Sequence, residues 1–182
     1  FERAFESPYG KAVGATLSTQ YRMAPEICSL VSKCFYEPRD KKLAQGRGGP
    51  KGYFGQLADP FDSEVVWVDT SCAGKQSYHE KTPGRSCANQ YEARAIIDVL
   101  RHVLQNEQFT NDLVRDLKQG EIPIGIIAMY SAQVTRINNA IARAEWLGPL
   151  RSLIKVDTVD GYQGKENRII ILSLVRNNAQ YE

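Results

Sequence analysis

Two short segments carry side chains that could act on a phosphate-bearing ligand. Arg22 closes a strand-like run in Gln20-Tyr21-Arg22-Met23, and an arginine supplied across a cleft is a recurring device for stabilising a transferred phosphoryl group. Tyr21 offers a flat apolar face. The residues alone leave ordinary alternatives open, because Arg22 could pair with Glu26 one helical turn later and Tyr21 could lie at the edge of a core.

The second segment is VDTVDGYQGKE, residues 156–166. Gly164 would let the backbone approach a phosphate closely, and the Glu166 carboxylate could accept hydrogen bonds from ribose hydroxyls. An ordinary turn explains the same residues equally simply.

Polar and basic residues also follow three predicted strands. Tyr130 and Ser131 stand where a strand leads into a helix, and the N–H groups of a helix start suit a phosphate. Thr158 and Arg176 follow or end the two later strands. Such contacts would position a nucleic acid strand without reading its bases, although the Thr158 hydroxyl could equally be satisfied locally.

No complete nucleotide or metal site is predicted. Gly10, Gly74 and Gly164 each precede a lysine, but no Ser or Thr follows as the phosphate-binding loop requires. The four cysteines form no pair at two-residue spacing and the two histidines lie apart, so no metal site is expected. The chain is therefore not expected to hold a nucleoside triphosphate by itself.

Composition limits the class of protein. With 182 residues, 42% hydrophobic, 24% charged and a net charge of +2, the chain is typical of one globular domain and unlike a disordered or strongly basic arm. Apolar runs fall far short of the roughly 20 residues that span a bilayer, so no membrane partner is predicted. Sparse cysteines favour reduced thiols in an intracellular protein, cytoplasmic or nuclear. Because the chain begins with Phe1 and ends at Glu182, we expect a domain from a longer protein.

The periodicity of apolar residues predicts an α/β fold with three layers and a mostly parallel sheet. Strands are predicted at residues 15–22, 65–68, 122–129, 153–156 and 168–175. Helices are predicted at 24–37, with an apolar stripe of Ile27, Leu30, Val31 and Cys34, from about 90 to 104, and from a Ser131 cap to 144. Loops are predicted at 38–64 and 71–88. Asn89 and Glu92 have the spacing of a reciprocal helix-capping pair and are interpreted as structural.

The ordered motifs QYRM, VDTVDGYQGKE and LSLVRN, at residues 20–23, 156–166 and 172–177, resemble the second RecA-like domain of superfamily 1 helicases. The resemblance is to the group that includes the nonsense-mediated-decay helicase and senataxin, and it covers about residues 15–178. Between these motifs the family has a strand ending in Asp-Thr, an Asn-x-x-Glu-Ala helix and a strand leading to a Tyr-x-x-Gln helix, and this chain follows that order.

The resemblance implies that ATP and Mg²⁺ are held mainly by a preceding RecA-like domain that carries the phosphate-binding loop. Arg22 would then be the arginine finger and Tyr21 would stack on adenine. Glu166 would contact the ribose, with Gly164 near the phosphates. Further nucleotide contacts are implied for Gln20 and Gln163.

The resemblance also implies single-stranded DNA or RNA as a partner, bound through Tyr130, Ser131, Thr158 and Arg176. Family members commonly have Thr-Pro-Tyr where this chain has Ala128-Met129-Tyr130, so one backbone contact lacks its hydroxyl. The family's later arginine motif is expected beyond Glu182, and residues 1–182 alone are expected to be inactive.

Two other functions were considered. A degenerate RecA-like module could bind nucleic acid or protein partners without hydrolysing ATP, and a phosphate-binding loop upstream in the parent chain would argue against it. A flavodoxin-like domain for a small ligand fits the α/β pattern but leaves the ordered motifs unexplained.

Overall fold

The computed structural model describes residues 7–15, 17–46, 48, 54–115 and 117–177. These residues belong to two compact units. One contains the described residues within 1–52 and 63–65, and the other contains those within 53–62 and 66–182.

The first unit contains two short helices and one short parallel ladder. Its elements in chain order are α1 (Pro8–Val13), β1 (Thr19–Gln20), α2 (Pro25–Val31) and β2 (Ala44–Gln45). β1 and β2 pair in parallel. Each helix begins with a proline, which loses no hydrogen bond in a first turn. The strand predicted at 15–22 is confirmed only at Thr19–Gln20, with Tyr21 and Arg22 in a bend after it and residue 16 outside the described residues.

The helix predicted at 24–37 is confirmed, but its apolar stripe is wrong. After α2 the chain continues through a π-helical turn, Ser32–Tyr36, and a 3₁₀ turn, Glu37–Arg39. The buried positions are Cys28 and Ser32, whereas Ile27, Leu30 and Cys34 are exposed. The reason is Leu43, whose carbonyl and N–H bond the Cys28 thiol and the Ser32 hydroxyl. Of the predicted loop at 38–64, residues 47 and 49–53 lie outside the described residues.

The second unit holds the sheet and its covering helices. Its elements in chain order are β3 (Glu80–Thr82), β4 (Ser86–Ala88), α3 (Gln90–Leu104), α4 (Glu107–Val114), β5 (Ile124–Ala128), α5 (Ser131–Arg143), β6 (Ile154–Thr158) and β7 (Ile169–Ser173). β3 and β4 form an antiparallel hairpin. β5 pairs in parallel with β6 on one side and β7 on the other.

The core lies between the parallel sheet and helices α3 and α5. Ile124, Ile126 and Ala128 of the central strand are completely buried there, because β5 has neighbours on both edges and helices on that face. The intervening Gly125 faces the other side of the sheet, where the Tyr162 ring leaves no room for a Cβ atom. This arrangement confirms the predicted α/β class with a mostly parallel sheet.

Two predictions for this region are wrong and one helix was missed. The predicted strand at 65–68 forms no ladder in the described part of the chain, and Trp67 is 78% exposed, because an apolar run becomes a strand only beside a partner strand. The predicted loop at 71–88 contains 3₁₀ turns over Ser71–Ser77 and the β3–β4 hairpin. Helix α4 was not predicted, although Asn106 caps it by accepting the Phe109 N–H and the Phe109 side chain is completely buried.

Among the described helices, none is both long and apolar enough to cross a bilayer. The four cysteines are all unbonded thiols.

Candidate functional site

The turn after β1 is shaped by the side chain of Gln20. Its amide oxygen accepts the N–H groups of Arg22 (2.8 Å) and Met23 (2.6 Å). Its amide nitrogen donates to the Met23 carbonyl (3.0 Å) and to the Gln45 side chain, and the Gln45 amide nitrogen reaches the same Met23 carbonyl. The primary amide thus uses both donors and both acceptor positions, three of the bonds within the turn and one to Gln45 of β2. A contact between Gln20 and a nucleotide stays a prediction.

Tyr21 lies on the outside of this turn with one ring edge against Gly46. A Cβ atom at position 46 would come within 2.5 Å of Tyr21 Cε1 and 2.8 Å of Thr19 Cγ2, so only glycine leaves the ring where it is. The tyrosine is 69% exposed. Tyr21 therefore does not lie at the edge of a core, which was the alternative interpretation, and its ring is accessible for stacking. Arg22 is also exposed.

The carboxyl ends of the three parallel β-strands bring together the residues predicted to bind single-stranded nucleic acid. Ala128 at the end of β5 pairs with Thr158 of β6 and Ser173 of β7, so the residues that follow each strand share one edge of the sheet. Across that edge the Arg176 guanidinium carbon lies 5.9 Å from the centre of the Tyr130 ring. This distance permits a cation–π contact.

The start of α5 differs from the prediction that Ser131 caps it. The capping position is Tyr130, whose side chain makes no capping hydrogen bond, and Ser131 is the first helical residue. The N–H of Ala132 donates to the Ser86 hydroxyl of the hairpin (3.2 Å). A side chain distant in sequence therefore performs the capping, and one N–H that was expected to face a phosphate is already used.

Thr158 and its surroundings form a local hydrogen-bonded turn. The Thr158 hydroxyl accepts from the Gly161 N–H (3.3 Å), and the Thr158 N–H donates to the Asp157 carboxylate (2.9 Å). That carboxylate lies 3.5 Å from Lys165 Nζ, and it fills the space that a Cβ atom at Gly161 would need. The Thr158 hydroxyl oxygen is thus satisfied as an acceptor by a neighbouring N–H, as the alternative interpretation of this residue predicted.

Gln163, Gly164 and Glu166 lie exposed on the connection from β6 to β7. Gly164 has φ +79°, a left-handed conformation that favours glycine. No atom lies within 4 Å of the position a Cβ atom would take there, so the constraint on this residue is conformational. The turn leaves the Gly164 backbone open to a ligand.

Sequence reasoning missed several residues that hold these sites in place. Gly46 is packed against Tyr21 and Gly161 against Asp157, and a glycine near a motif was a signal that could have been used. Gln133 is fully buried and hydrogen-bonds Asn89 and Ser173. A buried glutamine inside a helix has no signature in a single sequence.

Comparison with known proteins places the chain in a family. A family model described as an AAA domain matches residues 1–182. The chain is 46% identical over 166 residues to the helicase required for RNAi-mediated heterochromatin assembly 1 of Schizosaccharomyces pombe, covering 91% of this chain and 14% of that protein. It is 29% identical to the DNA polymerase alpha-associated DNA helicase A of Saccharomyces cerevisiae (91% and 23%). It is 30% identical to helicase SEN1 of the same yeast (88% and 7%). The chain thus spans less than a quarter of each of these relatives.

Proposed function

The chain belongs to the AAA domain family and is a superfamily 1 helicase domain, and on this premise we propose that it is the C-terminal RecA-like motor domain of an ATP-dependent helicase or translocase. A preceding RecA-like domain of the same protein would hold most of the nucleotide and its Mg²⁺. The partner would be single-stranded DNA or RNA, held through its backbone.

The observation that carries the proposal is the turn built by Gln20. Its amide fixes the backbone at Arg22 and Met23, while Tyr21 stays exposed beside it. A fixed backbone with an exposed ring and an exposed guanidinium suits a nucleotide supplied from outside the chain. Arg22 would face the transferred phosphoryl group and stabilise its developing charge.

The chemistry of other residues, each considered within its own unit, also suits a nucleotide. The exposed Tyr21 ring offers a stacking face for a base, the left-handed Gly164 leaves its backbone open to a phosphate, and Glu166 carries acceptors for ribose hydroxyls. ATP with Mg²⁺ supplies the phosphoryl group when it is bound. The residues of this chain bind and orient it and stabilise charge.

The single-stranded nucleic acid would lie along the carboxyl edge of the sheet. Tyr130 and Arg176 present an aromatic ring and a cation side by side there, a combination that suits a base and a phosphate of a single strand. Ser131 and Thr158 lie at the same edge. Opening and closing of the two motor domains during hydrolysis would move the strand.

The test is ATP hydrolysis by the full-length parent protein, with and without single-stranded DNA or RNA. We expect turnover that one of the strands stimulates, and a loss of roughly 10³-fold in the Arg22→Ala variant with nucleotide affinity largely kept. Arg94→Ala is the matched control, because Arg94 is an exposed arginine of helix α3, and it should turn over at the wild-type rate.

The same assay separates the motor from a non-catalytic binding module. A wild-type protein that binds a strand but hydrolyses no ATP on either nucleic acid would support the module. Normal turnover in Arg22→Ala would remove Arg22 from the mechanism.

A further inference from the structure

Glu92 takes an unexpected direction at the start of helix α3. In a reciprocal capping pair, the residue three positions after the cap reaches back to the N–H of the capping residue. Asn89 does cap the helix, accepting the Glu92 N–H at 3.0 Å. Its own N–H, however, donates to the Gln133 side chain at 2.7 Å. The predicted cap by Asn89 is therefore confirmed, but Glu92 does not return the bond, and its carboxylate is available for another partner.

That partner is the segment after β7, in the LSLVRN motif. One carboxylate oxygen of Glu92 accepts the Leu174 N–H (2.9 Å) and the other accepts the Val175 N–H (2.8 Å). Asn89 completes the contact by donating its side-chain amide to the Val175 carbonyl (3.1 Å). Both peptide groups of Val175 are thus held by the first turn of α3.

Val175 is held in a conformation that valine avoids. Its φ is +71°, and the N–H of Arg176 donates to the carbonyl of Leu174 (2.8 Å), which makes a γ-turn centred on Val175. A γ-turn of this hand is rare and strained, and a left-handed φ is especially unfavourable for a β-branched residue. Such strain persists only where surrounding contacts fix it, and it collects at functional positions.

The turn aims the next side chain. Arg176 follows Val175 directly, and its guanidinium lies over the Tyr130 ring. If residue 175 relaxed to an extended conformation, the chain direction at Arg176 would change and the guanidinium would leave the ring.

Burial of the Glu92 carboxylate is unfavourable for the stability of the fold, so stability alone does not explain this residue. Burial raises the pKa of Glu92, and the hydrogen bonds from Val175, Leu174 and Ser173, which lower it, do not fully compensate. Keeping this group ionised therefore costs free energy. What the carboxylate does provide is a fixed position for the N–H groups of Leu174 and Val175.

We propose that Glu92 is a positioning residue for strand binding, whose carboxylate holds the strained turn at Val175 so that Arg176 stays over Tyr130. This inference rests on the proposed function, because Arg176 must contact the strand for its position to matter. Glu92 itself touches neither strand nor nucleotide in this account.

The experiment measures affinity of the full-length protein for a single-stranded oligonucleotide, as DNA and as RNA, across a series of salt concentrations. Arg176→Ala should weaken binding about fivefold and reduce the salt slope by about 0.7, the value for one phosphate contact on a single strand. Glu92→Gln should reproduce both changes, because Glu92 uses a separate oxygen for each N–H, and the amide would place an NH₂ donor against one of these N–H groups. The double variant should be no weaker than Arg176→Ala alone.

Glu121→Gln is the matched control. Glu121 also accepts a backbone N–H, from Lys118 at 3.0 Å, but it precedes β5 and so lies toward the amino edge of the sheet. Its affinity and salt slope should equal those of the wild type. If Glu92→Gln does not fold, Glu92→Asp provides the same test, because it keeps the charge but is one methylene too short to reach both N–H groups.

The outcomes separate the two proposals. An unchanged slope in Arg176→Ala would contradict the assignment of Arg176 to the strand. A changed slope in Arg176→Ala with a wild-type slope in Glu92→Gln would overturn the role of Glu92 alone, as would a Glu92 variant that only melts at a lower temperature.

Discussion

Two turns of this domain each present an arginine, and each is shaped by a side chain that accepts two backbone N–H groups. At the turn after β1 the acceptor is Gln20, which is neutral and only two and three residues from its partners. At the turn after β7 it is Glu92, a partly buried carboxylate 82 and 83 residues away. The first turn is set by residues 20–23 together with Gln45 of the paired strand β2, which bonds both Gln20 and Met23. The second depends on the packing of α3 beside the sheet.

The largest effect that distinguishes the turns is expected for Gln20→Ala in the full-length protein. Losing the amide frees the backbone at Arg22, and small displacements of a catalytic group can cost about 10²-fold in rate. We expect kcat for ATP to fall by roughly that factor with little change in thermal stability. Gln105→Ala, at an exposed glutamine after α3, is the control and should keep the wild-type kcat.

Asn89→Ala should produce the opposite pattern, because Asn89 is buried and bonded to the Glu92 N–H and to the Ser77 and Val175 carbonyls. We expect the free energy of unfolding to fall by about 2 kcal/mol or more, from the lost cap and the unsatisfied buried groups. Strand affinity should fall as well. Chemical denaturation and strand titration measure the two effects.

Asn106→Ala is the control for this prediction. Asn106 caps α4 and bonds the Gln56 carbonyl, so its loss should destabilise the domain by about 1 kcal/mol. Strand affinity of folded Asn106→Ala should match the wild type. Equal losses of strand affinity in both variants would break the distinction between the turns.

A smaller effect is expected from Gly46→Ala. The new methyl group would collide with the Tyr21 ring and with Thr19, so the ring must move from its place beside the turn. Because aromatic stacking on a base is worth roughly 1–3 kcal/mol, the KM for ATP should rise about tenfold with kcat nearly unchanged. Gly48→Ala is the matched control, since nothing lies within 4 Å of its Cβ position. A similar KM in both variants would contradict a contact between Tyr21 and ATP.

The smallest effect concerns pH. The pKa of Glu92 is raised from its ordinary value of 4.5 mainly by burial, so the folded protein binds this proton more tightly than the unfolded chain. Stability from Glu92 is therefore fully present below pH 4.5 and is lost as pH rises through the raised pKa. The difference in free energy of unfolding between wild type and Glu92→Gln should shift over that window, as denaturation at several pH values would show. A difference independent of pH would contradict the raised pKa.

The same contrast explains what could be predicted from the sequence. Strands β5, β6 and β7 and helices α3 and α5 follow from their apolar patterns and were found close to their predicted positions, although Ile170 and Leu172 of the all-apolar β7 are exposed. Residues 20–23 and 156–166 form contiguous motifs, so the resemblance to a helicase domain was recognisable from them. Whether they act on ATP stays a prediction.

Other features depend on contacts between distant residues and could not be predicted. The direction of the Glu92 carboxylate depends on Gln133 taking the Asn89 N–H. The helix cap at Ala132 comes from Ser86. The apolar run at 65–68 has every local property of a strand but no ladder partner among the described residues, and local pattern cannot reveal that.

The most direct test of the account is ATP turnover by the full-length protein in a double-mutant cycle of Gln20→Ala and Arg22→Ala. If Gln20 holds Arg22 at the transferred phosphoryl group, the double variant should turn over no more slowly than Arg22→Ala alone. The reason is that Gln20 would act only through the Arg22 side chain, which both variants lack. Losses that multiply, or an Arg22→Ala variant with wild-type turnover, would contradict it.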